Sequence, residues 1–134
     1  MLLNRNKAGY VLCHLNVRSL YKSLDELRYL IGHCEELNRL FLSFSETWLS
    51  SEIPDGAISL PGYKLYRKDR DGHGGGVVVY YPDRVKAKRR EDLECTEIEG
   101  IWMEVVTSKK KRLLLFAVQK QCDFIIEESE SCLF

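Results

Sequence analysis

Tyr10-Val11-Leu12-Cys13-His14-Leu15-Asn16 is the stretch from which the fold is read. It is short, largely apolar and ends on a polar residue, the pattern of a β-strand. Val11, Cys13 and Leu15 fall on one face, and Leu12, His14 and Asn16 on the other. Immediately downstream, Ser23-Leu24-Asp25-Glu26 has the form of a capping box. Leu20, Leu24, Leu27, Ile31 and Cys34 recur at helical spacing, with Lys22, Glu26, Arg28 and Glu35 off that stripe, so a surface helix with one buried face follows. Leu40 to Ser45 is apolar enough to be a strand buried on both faces. Strand, helix and strand in this order predict a βαβ-type start.

Beyond Ser45 the chain reads as strands and turns. Pro54-Asp55-Gly56 and Pro61-Gly62 are turns. Tyr63 to Arg67 and Val77 to Tyr81 are strands, joined by Asp71-Gly72-His73-Gly74-Gly75-Gly76. Ile101 to Val106 and Leu113 to Val118 are two more, joined by the basic turn Lys109-Lys110-Lys111-Arg112. The expectation is an α/β (α+β) architecture rich in antiparallel sheet.

Composition bounds the function. At 134 residues, 45% apolar and 30% charged, the chain has the length and balance of one globular domain. Charged residues interrupt every apolar run well short of a membrane span, and Met1-Leu2-Leu3-Asn4-Arg5 lacks the apolar core of a secretory signal. The five cysteines include no CxxC pair and read as reduced thiols, so a cytoplasmic or nuclear setting is expected. The histidines show no metal spacing. The net charge of zero is segregated: Lys64 to Arg90 carries nine Lys or Arg against three Asp, and Glu91 to Glu104 carries six acids and no base. Such blocks are solvated loops and strand edges, or, where basic, surfaces that meet phosphate.

Two residues stand where chemistry is done in α/β proteins. Asn16 ends the first strand and Glu46 follows the second, so both project from one sheet edge if the strands are neighbours. A lone carboxylate beside an amide suits a hard cation, because magnesium takes only one or two protein carboxylates and fills its shell with water and phosphate. The same residue types also serve as caps and turn residues. The glycine run leads into a strand and lacks the Gly-Lys-Ser/Thr ending of a P-loop, so a hairpin turn is its simpler reading.

The ordered set Leu15-Asn16-Val17-Arg18-Ser19, Leu24-Asp25-Glu26-Leu27, Ser45-Glu46-Thr47-Trp48-Leu49, Pro61-Gly62-Tyr63, Tyr66-Arg67-Lys68-Asp69-Arg70 and Gly74-Gly75-Gly76-Val77 resembles the endonuclease domain of LINE-type (non-LTR) retrotransposons. That domain belongs to the endonuclease/exonuclease/phosphatase superfamily. The resemblance runs from about residue 10 to 118 and covers the first half of the family domain; residues 119–134 read as an unrelated acidic tail. It implies a two-sheet α/β sandwich, a Mg2+ cofactor, DNA as partner, and hydrolysis of one DNA strand to leave a 3′ hydroxyl that primes reverse transcription. By match to the motifs, Glu46 would be the metal-binding carboxylate and Asn16 a catalytic member of the same site. Tyr66, Arg67 and Arg70 would lie beside the DNA-facing rim.

The chain departs from the family after Val118. Gln119 stands where a phosphate-contacting tyrosine is expected, as at a frameshift, splice join or gene boundary. Neither a Gly-Asp-Phe-Asn-type nor a Ser-Asp-His-type motif follows. The resemblance therefore implies a catalytically incomplete endonuclease, with strand surface and edges left open to self-association. The alternatives are an enzyme completed by a partner half, or a non-enzymatic nucleic-acid-binding module using the basic stretches.

Overall fold

A computed structural model describes residues 2–5, 9–34, 39–70, 72, 74–107, 109–118 and 122–128, the first and last of these segments by backbone alone. The element order is β1 (Leu2–Arg5), β2 (Val11–Asn16), α1 (Leu20–Gly32), β3 (Leu40–Ser45), β4 (Tyr63–Lys68), β5 (Val77–Pro82), β6 (Lys86–Arg89), β7 (Gly100–Val106), β8 (Arg112–Val118) and β9 (Cys122–Glu128). A 3-10 turn at Asp55–Ile58 interrupts the long β3–β4 connection.

Two sheets form. The first has strand order β1-β2-β3-β5-β4 and the second β6-β7-β8-β9. Within the first, β2 and β3 are parallel, with Val11 opposite Leu40 and Asn16 opposite Ser45. This is the crossover read from the sequence, with α1 as the connecting element. β5 lies antiparallel to both β3 and β4, so the glycine run closes a β4–β5 hairpin.

Alternation along each strand divides the core in two. Leu12, Phe41, Val77, Val79 and Tyr81 face Ile101, Met103, Val105, Leu113, Leu115 and Ala117 of the second sheet. From the opposite face, Cys13, Leu42, Phe44, Val78 and Tyr80 pack on Leu20, Leu24 and Ile31 of α1 and on Leu49, Ile58 and Leu60 of the β3–β4 connection. Burying eleven apolar residues on each side fixes the register, because a one-residue slip would exchange the two sets. The central strands of the first sheet are thus covered on both faces by this chain, with Val77 to Tyr80 fully buried. Over its central strands α1 and the connection supply one cover and β7–β8 the other.

Three expectations are revised. The helix starts at Leu20, before the capping box, and Ser23 Oγ instead donates to Ser19 O at 3.2 Å. The first N–H groups find partners elsewhere: Ser19 N and Leu20 N donate to Glu46 O and Thr47 O, each at 2.9 Å. Carbonyls from the exit of β3 thus cap the helix in place of a side chain. A four-residue strand, β6, fills Lys86–Arg89 where only basic character was read. Cys122–Glu128, within the acidic tail, pairs antiparallel with β8, with a register shift between Leu114 and Leu115.

The β3–β4 connection is pinned at several points. Tyr80 Oη donates to Ile58 O at 2.6 Å, Tyr63 Oη to Leu40 O at 3.0 Å, and Arg28 reaches Ser59 O from α1 at 3.0 Å. Among the described residues no helix is long and apolar enough to cross a membrane. Cys13, Cys34 and Cys95 are free thiols.

Candidate functional site at the ends of two parallel strands

The segments leaving β2 and β3 run side by side. Val17 N donates to Ser45 O at 3.0 Å, and the two helix-capping bonds continue this ladder past both strand ends. Asn16 is exposed at the end of β2, level with Ser45, one residue before Glu46. The two candidates therefore share the C-terminal edge of a parallel pair, where ligands gather in α/β sheets.

Backbone strain concentrates at this edge. Among the described residues, five non-glycine residues have positive φ: Arg18 (46°), Ser19 (89°), Glu46 (55°), Trp48 (56°) and Lys110 (59°). Four of the five lie within the two segments that leave β2 and β3. Such conformations cost about 1–3 kcal/mol each and persist where the surroundings enforce them, which is characteristic of functional sites.

The Glu46 carboxylate is held in place. Its Oε2 accepts from Trp48 Nε1 at 2.7 Å and from the Gly75 amide at 3.1 Å. The Trp48 hydrogen bond, then the Gly75 amide, and then the charges of Arg70 and Arg18 hold its carboxyl below the usual carboxylate range. The glycine turn is fastened to the same segment: Trp48 N donates to Gly75 O at 3.0 Å and Thr47 N to Gly76 O at 3.4 Å. Gly76 has φ 93°, and a β-carbon there would fall 2.3 Å from Thr47 Oγ1. Thr47 is buried, and its hydroxyl is the one buried side-chain polar atom without a partner among the described residues.

The basic residues read as rim contacts divide by geometry. All five N–H donors of Arg67 are engaged within the chain: they reach Ile53 O (2.6 Å), Ser50 O (2.9 Å), Asp55 Oδ1 (3.1 Å), and Asp69 Oδ1 and Oδ2 (3.1 and 2.7 Å). Although burial works against its charge, the bonds to Asp69 and Asp55 keep the guanidinium pKa raised. Arg67 is a bracket tying the start of the β3–β4 connection to β4. Tyr66 stacks on Tyr81 at 5.4 Å and packs against the inter-sheet core. Arg70 is 53% exposed, donates from Nε to Gly74 O at 3.0 Å, and stands close enough to Glu46 to lower its pKa. Of the three, Arg70 is the one whose geometry opens onto the site.

The second sheet also reaches this edge. Lys68 Nζ donates to Ile98 O and Gly100 O, each at 3.4 Å, and lies 3.6 Å from Glu94. Arg89 forks onto Glu94 at 2.8 and 2.7 Å and donates to Arg67 O at 3.1 Å. Glu99 accepts from the Gly76 amide. The acidic run at 91–104, read as solvated, therefore holds three structural carboxylates, Glu94, Glu99 and Glu104, the last 6% exposed and paired with Arg90 and Lys88. Charge patterning carried no signal that would have singled out Glu99.

Two residues at this edge are of the kind that could hold a magnesium ion: the Glu46 carboxylate, whose pKa is lowered, and the exposed Asn16 amide, opposite the residue before Glu46. Among the described residues no group of three or more His, Cys, Asp or Glu forms a denser metal cluster. One carboxylate with few protein ligands is the way magnesium is held when water and phosphate complete its shell. No family model matches this chain, and no curated protein matches it.

Proposed function

We propose that this chain carries the metal-holding part of a Mg2+-dependent, phosphodiester-cleaving endonuclease site of the LINE retrotransposon type, on half of an endonuclease/exonuclease/phosphatase sandwich. The observation that supports it most is the Glu46 carboxylate. It sits in strained backbone at the end of a parallel strand, accepts hydrogen bonds from Trp48 and Gly75 that lower its pKa, and follows Ser45, the residue opposite Asn16. When bound, magnesium would stabilise the charge that builds on a phosphodiester and its leaving oxygen. Glu46 would hold the ion and Asn16 would orient the phosphate. Arg70 would meet the DNA backbone, and Arg67 and Tyr66 would support the rim from behind.

These 134 residues contain no Gly-Asp-Phe-Asn-type or Ser-Asp-His-type segment to orient a nucleophile or act at the scissile phosphate. Losing one such group costs on the order of a hundredfold in rate. The expected outcome is no nicking of supercoiled plasmid by this chain alone in Mg2+. Nicking is expected when a segment bearing both motifs is added, and it should be lost in Glu46→Ala. Magnesium-dependent nicking by the chain alone, abolished in Glu46→Ala, would overturn the claim of incompleteness.

A second reading, a nucleic-acid-binding module without catalysis, is favoured by a separate feature. Lys109, Lys110 and Lys111 are exposed on the β7–β8 turn, and exposed Lys86 is opposite Val106 beside it. This reading expects DNA binding with a steep salt dependence. Charge reversal of the three turn lysines would weaken it, and Glu46→Ala would leave it unchanged.

A further inference from the structure

Glu99 precedes β7 in the second sheet, yet its carboxylate is spent on the first. Oε1 accepts from the Gly76 amide, and Oε2 lies 3.8 Å from Arg70 Nε. Arg70 in turn lies over Gly75: a β-carbon there would fall 2.2 Å from Arg70 Nε. The neighbouring amide, Gly75 N–H, is the one that donates to Glu46. Successive amides of one turn are thus taken by two carboxylates from different sheets. The carbonyls of Gly75 and Gly76 are taken by Trp48 N and Thr47 N.

We propose that Glu99 is a positioning residue for Glu46. From the second sheet it anchors the Gly75–Gly76 turn and Arg70, so that the Gly75 amide and the Arg70 charge stay aimed at the Glu46 carboxylate. The inference rests on reading Glu46 as the metal-holding group. Its mechanical content is independent of that reading: a Glu99 contact sets the order of the Glu46–Trp48–Gly75 hydrogen bonds. Glutamine at this position keeps an oxygen acceptor for Gly76 N–H and gives up the charge facing Arg70. Alanine gives up both.

The test compares Glu99→Ala and Glu99→Gln with the parent chain by 15N–1H NMR, following the Trp48 indole resonance and amide exchange. In Glu99→Ala, Gly75 and Gly76 should exchange about tenfold faster, the loss of one net hydrogen bond. The Trp48 indole proton should also shift upfield as its bond to Glu46 loosens. Glu99→Gln should restore most of both effects. An unchanged indole resonance and unchanged Gly75 exchange in Glu99→Ala would overturn the proposal. So would an equal loss of protection across β2, β3 and β5 in both variants, which is what mere support of the fold would produce. Added Mn2+ separates the two claims. Failure to broaden Trp48 in the parent chain would sink the metal reading, while the exchange result would still decide whether Glu99 positions Glu46.

Discussion

Gly76→Ala tests how tightly the glycine turn is fitted to the Glu46 segment. Two costs are expected. An L-residue at φ 93° gives up about 1–2 kcal/mol relative to glycine. The new methyl would also stand 2.3 Å from Thr47 Oγ1, on a residue that is 1% exposed. Overpacking of that kind costs about 1–3 kcal/mol. The sum is about 2–5 kcal/mol, measured by urea denaturation followed by circular dichroism. Thr47→Ala alone should be nearly neutral. It loses a buried methyl worth about 0.8 kcal/mol but removes a hydroxyl whose unpaired burial costs about 1–3 kcal/mol. Combined with Gly76→Ala, it should relieve the steric part and leave the backbone part, giving a coupling of about 1–3 kcal/mol between the two sites. A cost below 1 kcal/mol for Gly76→Ala, or strict additivity in the double variant, would refute the claim that Thr47 and the turn are in direct contact.

Arg67→Lys should destabilise by about 2–4 kcal/mol in the same assay, because one ammonium cannot replace a fork that serves two carbonyls and two carboxylates. A loss under 1 kcal/mol would mean the bracket is not maintained in solution. His14, buried between Ser43 Oγ (3.2 Å) and Ser45 Oγ (3.4 Å), has its pKa lowered by burial and then by the amino terminus. A base whose folded pKa is depressed takes up protons first in the unfolded chain, so stability should fall as pH drops below about 6.5. His14→Gln should flatten that slope, and an unchanged pH profile would contradict the assignment. Trp48→Phe removes the main cause of the lowered Glu46 pKa, so the carboxyl titration, followed by 13C NMR, should move upward. The lowered pKa adds stability above the unfolded carboxyl value that is lost as pH falls through the folded one. In Trp48→Phe that acid limb should be shallower, and a Glu46 titration that stays in place would show that the indole bond does not hold the carboxylate.

Much of this arrangement was legible in the sequence because it is local. The strand Leu40–Ser45 is bounded as its apolar run predicts, and β2, β7 and β8 differ from expectation by a residue at one end. The shared edge of Asn16 and Glu46 was legible because a parallel βαβ pair brings both strand ends together. Contacts between distant segments left no local trace. The helix begins early because Glu46 O and Thr47 O cap it, and no side-chain pattern announces a backbone carbonyl from another strand. β6 carries Ala87 as its only apolar residue, so its pairing with β7 was hidden behind its charge. The Arg67 bracket and the Glu99 contact left no trace in the sequence for a common reason: the partners of a charged residue in a charged run, here Ser50, Ile53 and Asp69 for one and Gly76 and Arg70 for the other, are brought to it only by the fold.

Whether Glu46 is a cation-holding carboxylate is decided by Mn2+ titration of the 15N-labelled chain. The expected result is selective paramagnetic broadening of the Trp48 indole, the Gly75 amide and the Asn16 side-chain amide, reversed by excess Mg2+. It should be absent from Glu46→Ala, whose circular dichroism remains that of the parent chain. Broadening that is uniform over the surface, or that survives Glu46→Ala, would contradict it.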